Sequence, residues 1–157
     1  MAEKADGTEL KLILETTKGP VAIAMRPDLA PAHVARIKQL VEEGFYDGVA
    51  FHRVIDGFMA QTGCPYGTGT GGSGQKLKAE FSKEKHVRGT VSMARSQNPD
   101  SGDSQFFICL EESPWLNGQY TVWGKVVEGM ENIDQIKRGE PVADPDRIVS
   151  AHLEDAA

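Results

Sequence analysis

Phe51-His52-Arg53-Val54-Ile55-Asp56-Gly57-Phe58-Met59-Ala60-Gln61-Thr62-Gly63 is the stretch on which the reading of this chain turns. Val49 to Ile55 is dense in β-branched and aromatic residues, Asp56-Gly57 is a turn dipeptide, and Phe58-Met59-Ala60-Gln61 resumes as the partner strand. The stretch therefore predicts a hairpin. It also places one guanidinium, Arg53, among Phe, Met and Gln side chains. Taken alone, that cation suits an edge strand guarded against aggregation as well as it suits a binding site.

Upstream, Thr8, Leu10, Leu12 and Leu14 share one face while Lys11 and Glu15 take the other, the period of a half-buried strand. Lys18-Gly19-Pro20 breaks that run and Val21-Ala22-Ile23-Ala24-Met25 resumes it, a second hairpin. Pro31 opens a helix whose stripe is Val34, Ile37, Leu40 and Val41 and whose stop is Gly44. Downstream, residues 63–76 are dense in glycine and read as a loop. Further strands are expected at Val91–Ala94, Phe106–Cys109, Val122–Val127 and Arg147–Leu153, with a short helix on Met130, Ile133 and Ile136 ended by Gly139 and Pro141. Many short strands with two separated helices predict an all-β barrel or sandwich, and periodicity leaves the choice open.

The length of 157 residues suits one domain, 1–157. Lys+Arg 17 against Asp+Glu 23 gives a net charge of −6, which argues against a nucleic-acid or anionic-membrane footprint. The basic run Lys83, Lys85, His86 and Arg88 is interrupted by Glu84 and reads as a solvated loop. The polar start Met1–Gly7 lacks the apolar run of a signal peptide, and the apolar runs Val21–Met25 and Phe106–Leu110 are too short to cross a bilayer. Cys64 and Cys109 form no Cys-x-x-Cys motif. A cytoplasmic protein with two reduced thiols is expected.

Common catalytic signatures do not fit. Gly67-Thr68-Gly69-Thr70-Gly71-Gly72 lacks the Gly-Lys-Ser/Thr of a phosphate loop and opens no helix, so nucleotide binding is a remote reading. His33, His52, His86 and His152 are scattered, and neither a metal nor another cofactor is expected. No spacing singles out a Cys–His nucleophile pair.

Downstream of the opening stretch come Val91-Ser92-Met93-Ala94-Arg95, Ser104-Gln105-Phe106-Phe107-Ile108 and Trp115-Leu116-Asn117-Gly118. With these, the chain from about Leu10 to Leu153 resembles the cyclophilin family of peptidyl-prolyl cis-trans isomerases, in wording nearer its bacterial members. The resemblance implies a closed eight-stranded antiparallel β-barrel capped by two α-helices, with the site on its outer face. It implies Arg53 as the catalytic residue, and Phe58, Met59, Phe107 and Leu116 as the pocket for the proline ring. Gln61 and Gln105 would lie along the peptide groove, Ala94 and Arg95 would offer backbone contacts, and His52 would stand at the site's edge. Trp115 matches a tryptophan associated with cyclosporin binding, which implies inhibition by cyclosporin. Tyr120 stands where many eukaryotic members have histidine, leaving an aromatic wall with one hydroxyl. Asp56 replaces a turn proline, and Arg95 an asparagine used through its backbone. A monomer acting on proline-containing peptides and unfolded chains follows.

The reaction suits these residue types. A prolyl amide resists rotation by about 18–20 kcal/mol through conjugation, and no bond is broken, so the catalyst has only to favour the twisted form. A guanidinium does so by donating to the prolyl nitrogen once conjugation is lost, or by polarising the neighbouring carbonyl. A two-residue turn at Asp56-Gly57 would pair Arg53 with Ala60. A three-residue loop pairs Ile55 with Met59 and Arg53 with Gln61, on one face. Function favours the second, with Gln61 orienting the guanidinium. Period-2 spacing sets Gln105 and Phe107 on the groove face and Phe106 in the core. The competing class is a proline-peptide binding or chaperone module with incidental isomerase activity; the groove serves both, and Arg53 separates them.

Overall fold

A computed structural model describes residues 10–155; Thr8 and the polar start lie outside them. The elements are β1 (Leu10–Thr16), β2 (Gly19–Met25), α1 (Pro31–Glu42), β3 (Arg53–Ile55), β4 (Met59–Thr62), β5 (Thr90–Met93), β6 (Phe106–Cys109), β7 (Val122–Glu128), α2 (Met130–Ile133) and β8 (Ile148–Asp155), with one 3₁₀ turn at Pro114–Leu116. The strands form a single antiparallel sheet in the order β3-β4-β6-β5-β7-β2-β1-β8.

The expected closed barrel is not what forms. The sheet is an open, curled half-barrel, and among the described residues no ladder joins β3 to β8. Both end strands spend their outer edges on loops. Val54 exchanges hydrogen bonds with Gly139, and Val142 N–H donates to the His52 carbonyl, so β3 is already paired. Ile148, at the start of β8, bonds to Gly48 and Val49 in the same way. An isolated bridge, Ala50 with Arg147, and the Phe51 N–H bond to the Asp146 carbonyl also cross between the ends. Loops cover the edges that closure would otherwise have removed. For the same reason the strand expected over 49–55 shortens to Arg53–Ile55.

Alternation along the strands divides the apolar side chains between two faces. Inside the curl, Leu12, Leu14, Ile23, Phe51, Phe106, Ile108 and Trp123 form the main core, with Phe106 edge-on to Trp123 at 5.2 Å between ring centroids. Val34, Ile37, Leu40 and Val41 of α1 join it through the predicted stripe. The neighbours in sequence turn the other way: Ile55, Met59, Phe107 and Cys109 build a separate apolar cluster with Phe58, Ala94, Leu116 and Tyr120. That cluster is the floor of the site.

The second helix is one turn, Met130–Ile133, shorter than its apolar spacing suggested. The reading of 83–88 as a solvated loop fails at His86, which is fully buried, whereas Lys83, Lys85 and Arg88 are exposed. Cys64 and Cys109 are both buried and free.

Candidate active site

The hairpin that opened the reading takes the three-residue loop. Arg53 pairs with Gln61, Val54 with Ala60 and Ile55 with Met59. Phe58 N–H bonds back to the Ile55 carbonyl at 3.0 Å, and Gly57 supplies the left-handed position of the loop with φ 74°. This register sets Arg53 and Gln61 side by side on the face that carries Phe107, which pairs with Gln61 from β6.

A cavity of about 140 Å³ opens on that face, lined by Arg53, Phe58, Met59, Gln61, Ala94, Arg95, Phe107, Leu116 and Tyr120. Met59, Phe107 and Leu116 are buried, and Tyr120 stands edge-on to Phe107 at 5.7 Å. The Arg53 side chain, 43% exposed, is held from two sides. Its Nη1 donates to Gln61 Oε1 at 3.3 Å and its Nε to Glu140 Oε1 at 3.1 Å. Gln61 Nε2 in turn donates to Gln105 Oε1 at 2.9 Å, and Gln105 Nε2 to the carbonyls of Gly69 and Gly71 at 2.9 and 3.0 Å. A chain of hydrogen bonds thus runs from the glycine loop to the guanidinium.

The glycine loop also wraps a thiol. Gly69 and Gly71 N–H groups lie 3.3 and 3.2 Å from Cys64 Sγ. Burial works to raise the Cys64 pKa, but these amides and those of Thr68 and Tyr66 favour the thiolate more and bring it down to about 7. Cys109, with burial alone, is pushed up to about 12.

A larger cavity of about 520 Å³ adjoins the first, sharing Gln61, Ala94 and Arg95 with it and adding Gln105, Tyr66, Lys76 and the glycine loop. Gln105 therefore lines the groove beyond the small cavity. Trp115 lines neither; it stands 63% exposed with its ring 5.6 Å from Phe58. His52, expected at the site's edge, is buried behind the loop, with neither ring nitrogen partnered. Burial, and then the Arg53 charge, hold its imidazole below the ordinary histidine range.

The Ala94 N–H is committed to the Gln105 carbonyl at 2.9 Å. The Arg95 side chain is itself engaged: Nε and Nη2 donate to the Gln119 carbonyl at 3.0 and 2.7 Å, and the guanidinium lies 4.4 Å over the Tyr120 ring. Arg95 and Tyr120 thus form one stacked unit. Glu140 and Lys76 are among the residues at the site that the sequence does not single out. Glu140 lay in a segment read only as a helix stop, and Lys76 in a loop; neither carries a local pattern.

Comparison with known proteins agrees with this geometry. The family model described as cyclophilin type peptidyl-prolyl cis-trans isomerase/CLD matches residues 11–153. The chain belongs to the cyclophilins. This cyclophilin is 56% identical over 163 residues to a probable peptidyl-prolyl cis-trans isomerase of Brucella suis biovar 1, covering 93% of this chain and 83% of that protein. It is 47% identical over 131 residues to a peptidyl-prolyl cis-trans isomerase of Helicobacter pylori, covering 81% of this chain and 80% of that one. Among solved structures it is similar to a Cryptosporidium parvum cyclophilin crystallised in the presence of the dipeptide Ala-Pro, with a TM-score of 0.85 and 29% identity over 92% of this chain and 98% of that one. Cyclophilin AquaCyp293 of Hirschia baltica gives a TM-score of 0.84 and 31% identity over 95% of this chain and 78% of that one.

Proposed function

We propose that this cyclophilin is a peptidyl-prolyl cis-trans isomerase in which Arg53 is the catalytic residue and the cavity beside it takes the proline ring. The observation that carries the reading is the guanidinium pinned at the lip of a small hollow floored by Met59, Phe107 and Leu116. A volume of about 140 Å³ suits one side chain, well below the roughly 300–1,000 Å³ of cavities for drug-sized ligands. Phe58, Met59, Phe107, Leu116 and Tyr120 grip the ring, and Gln61 and Gln105 meet the flanking peptide. When the preceding carbonyl rotates, the prolyl nitrogen loses conjugation and becomes an acceptor for Arg53.

Energetics divide the work. A ~10⁵-fold acceleration requires about 7 kcal/mol of preference for the twisted amide. A charge-assisted hydrogen bond contributes roughly 1.5–3 kcal/mol. Arg53 supplies part; the hollow supplies the rest by holding the ring while the carbonyl turns and by excluding water from the bond. No proton is moved and no covalent intermediate forms.

The deciding experiment is a coupled proline-isomerisation assay on wild type and Arg53→Ala. Loss of that bond lowers kcat/KM by about ten- to a hundredfold, with peptide affinity falling less. Equal turnover in the two proteins would reject the catalytic assignment of Arg53, and peptide binding with no turnover in either would leave a proline-peptide binding or chaperone module. The exposed Trp115 beside Phe58 supports binding of cyclosporin, and isomerisation that is indifferent to it would remove Trp115 from that role. The chain is proposed to act as a single domain and a monomer, on proline-containing peptides and unfolded chains. Its two free, buried thiols fit a reducing compartment, the cytoplasmic reading.

A further inference from the structure

The 3₁₀ turn Pro114–Leu116 carries Leu116 of the small cavity and Trp115, which packs beside Phe58, and one buried residue outside the site bonds to both of its flanks. The His86 carbonyl accepts the Ser113 N–H at 2.9 Å, just before the turn. Just after it, Asn117 Oδ1 accepts the His86 backbone N–H at 2.7 Å and lies 3.1 Å from ring Nδ1. The other ring nitrogen, Nε2, is 2.9 Å from Ser92 Oγ on β5. The ring itself is stacked on Phe107, 6.2 Å between centroids with the planes 18° apart.

Hydrogen positions follow from these partners. An Asn117 oxygen that accepts the backbone N–H is the amide carbonyl, so Nδ1 carries a hydrogen and donates to it. Nε2 of the neutral ring then accepts the Ser92 hydroxyl hydrogen. That hydroxyl has one other acceptor within reach, the Thr121 carbonyl at 3.0 Å, which already takes the Met93 N–H. The neutral imidazole thus leaves no partner unsatisfied. Protonation at Nε2 would turn the Ser92 hydrogen toward Thr121 and reverse one bond of the brace.

We infer that His86 is a positioning residue of the proline pocket: it clamps both flanks of the Pro114–Leu116 turn and braces Phe107, so fixing the Leu116 and Phe107 walls relative to each other. The inference rests on the isomerase reading for its activity readout and on geometry for its structural one. The groups against the ring are uncharged: Ser92 from β5, Phe107 from β6 and Asn117 from the turn. Lys85 and Arg88 beside it in sequence are exposed, and Arg88 is paired with Asp134. Burial holds the ring below the ordinary histidine range, ahead of the opposing Asn117 bond, so the neutral form prevails at neutral pH.

The test uses His86→Phe, which keeps a ring against Phe107 but removes both side-chain bonds, and Asn117→Ala, which opens the clamp from the other end. Either variant raises KM for an Ala-Pro-containing peptide about tenfold while kcat stays within about twofold, the signature of lost uniform binding. Methyl resonances of Leu116 shift in both. In wild type they follow the His86 Cε1–H titration with a common midpoint, and the His52 Cε1–H is followed alongside. His86→Gln, which can restore a donor toward Asn117, recovers part of the KM. Unchanged KM and Leu116 resonances in a folded variant would overturn the inference. If wild type turns over no proline peptide, the isomerase reading falls. The Leu116 resonances still decide this one: unmoved in both variants, they overturn it.

Discussion

At the residue scale the site is a problem of holding one long, exposed side chain still. Arg53 would lose its aim to rotamer freedom were it not gripped at Nη1 by Gln61 and at Nε by Glu140. Both Arg53 and Glu140 are substantially exposed, and pairs of that kind are worth about 0–1 kcal/mol. Glu140→Ala is therefore expected to lower kcat by up to about fivefold with KM little changed, and Glu140→Gln, which keeps an acceptor, by less. A hundredfold loss would instead give Glu140 a direct part in the chemistry, and no loss would leave Gln61 as the only orienting group. The residues this site gathers were unevenly legible. Arg53, Met59, Gln61 and Phe107 come from the paired strands β3, β4 and β6, where a period of two fixes which side chains share a face, and Phe58 from the loop that joins the first two. Glu140 reaches Arg53 across 87 positions of sequence, from a loop with no periodicity to betray it. Arg95 was read as a backbone contact because nothing local to it announces Tyr120 as its stacking partner.

At the scale of elements, the helix α1 shows where local pattern stops informing. Pro31 and the stripe Val34, Ile37, Leu40 and Val41 announce it, yet its N-cap residue, Ala30, has no side chain able to cap. The cap comes from a distant loop. Glu80 accepts the N–H groups of Ala32 and His33 at 3.2 and 2.9 Å and sits 2.6 Å from the His33 ring. Burial works to raise the Glu80 pKa, but the His33 ring and those two amides outweigh it, and the carboxyl lies below its ordinary value of 4.5. A group depressed in the folded state contributes stability above its unfolded pKa and loses it as pH falls through the folded one. Glu80→Ala should thus cost about 1–2 kcal/mol at neutral pH. In urea titrations the gap to wild type should close as the pH is lowered past 4.5. A gap that persists in acid would mean that packing, not the carboxylate, is lost. His86 shows the opposite limit: the charges around it in sequence are exposed, while the ring is buried among Ser92, Asn117 and Phe107, none of them its neighbour in sequence. The hairpin at 53–62 was legible in register because only one register sets Arg53 with Gln61, although the Asp-Gly pair alone argued for a tighter turn.

Across the whole molecule, the open curl has a seam, and the seam has a fastener. A closed barrel was the natural expectation from eight strands with edges to hide. Strand counting could not show that residues 139–142 and 48–49 take those edges instead, since loops pair through backbone groups that every sequence possesses. Asp146 sits at this junction. Its side chain is buried and accepts the Thr17 hydroxyl at 2.8 Å and the Lys137 N–H at 2.9 Å, while its own carbonyl takes the Phe51 N–H. It joins the β1–β2 turn, the segment after α2 and the chain entering β3, with Lys18 at 3.9 Å as the nearby charge. Removing it leaves two part-buried hydrogen bonds without their acceptor, which places Asp146→Ala at about 1–2 kcal/mol of lost stability. The loss should also be local in its dynamics. In native-state hydrogen exchange, the amides of Gly48, Phe51 and Ile148 would open well below the global unfolding free energy in the variant. Those of Ile23 and Trp123, in the paired strands β2 and β7, should follow global stability alone. Uniform acceleration across all five amides would show that the seam is no weaker than the sheet it borders, and that the half-barrel unfolds as a single unit.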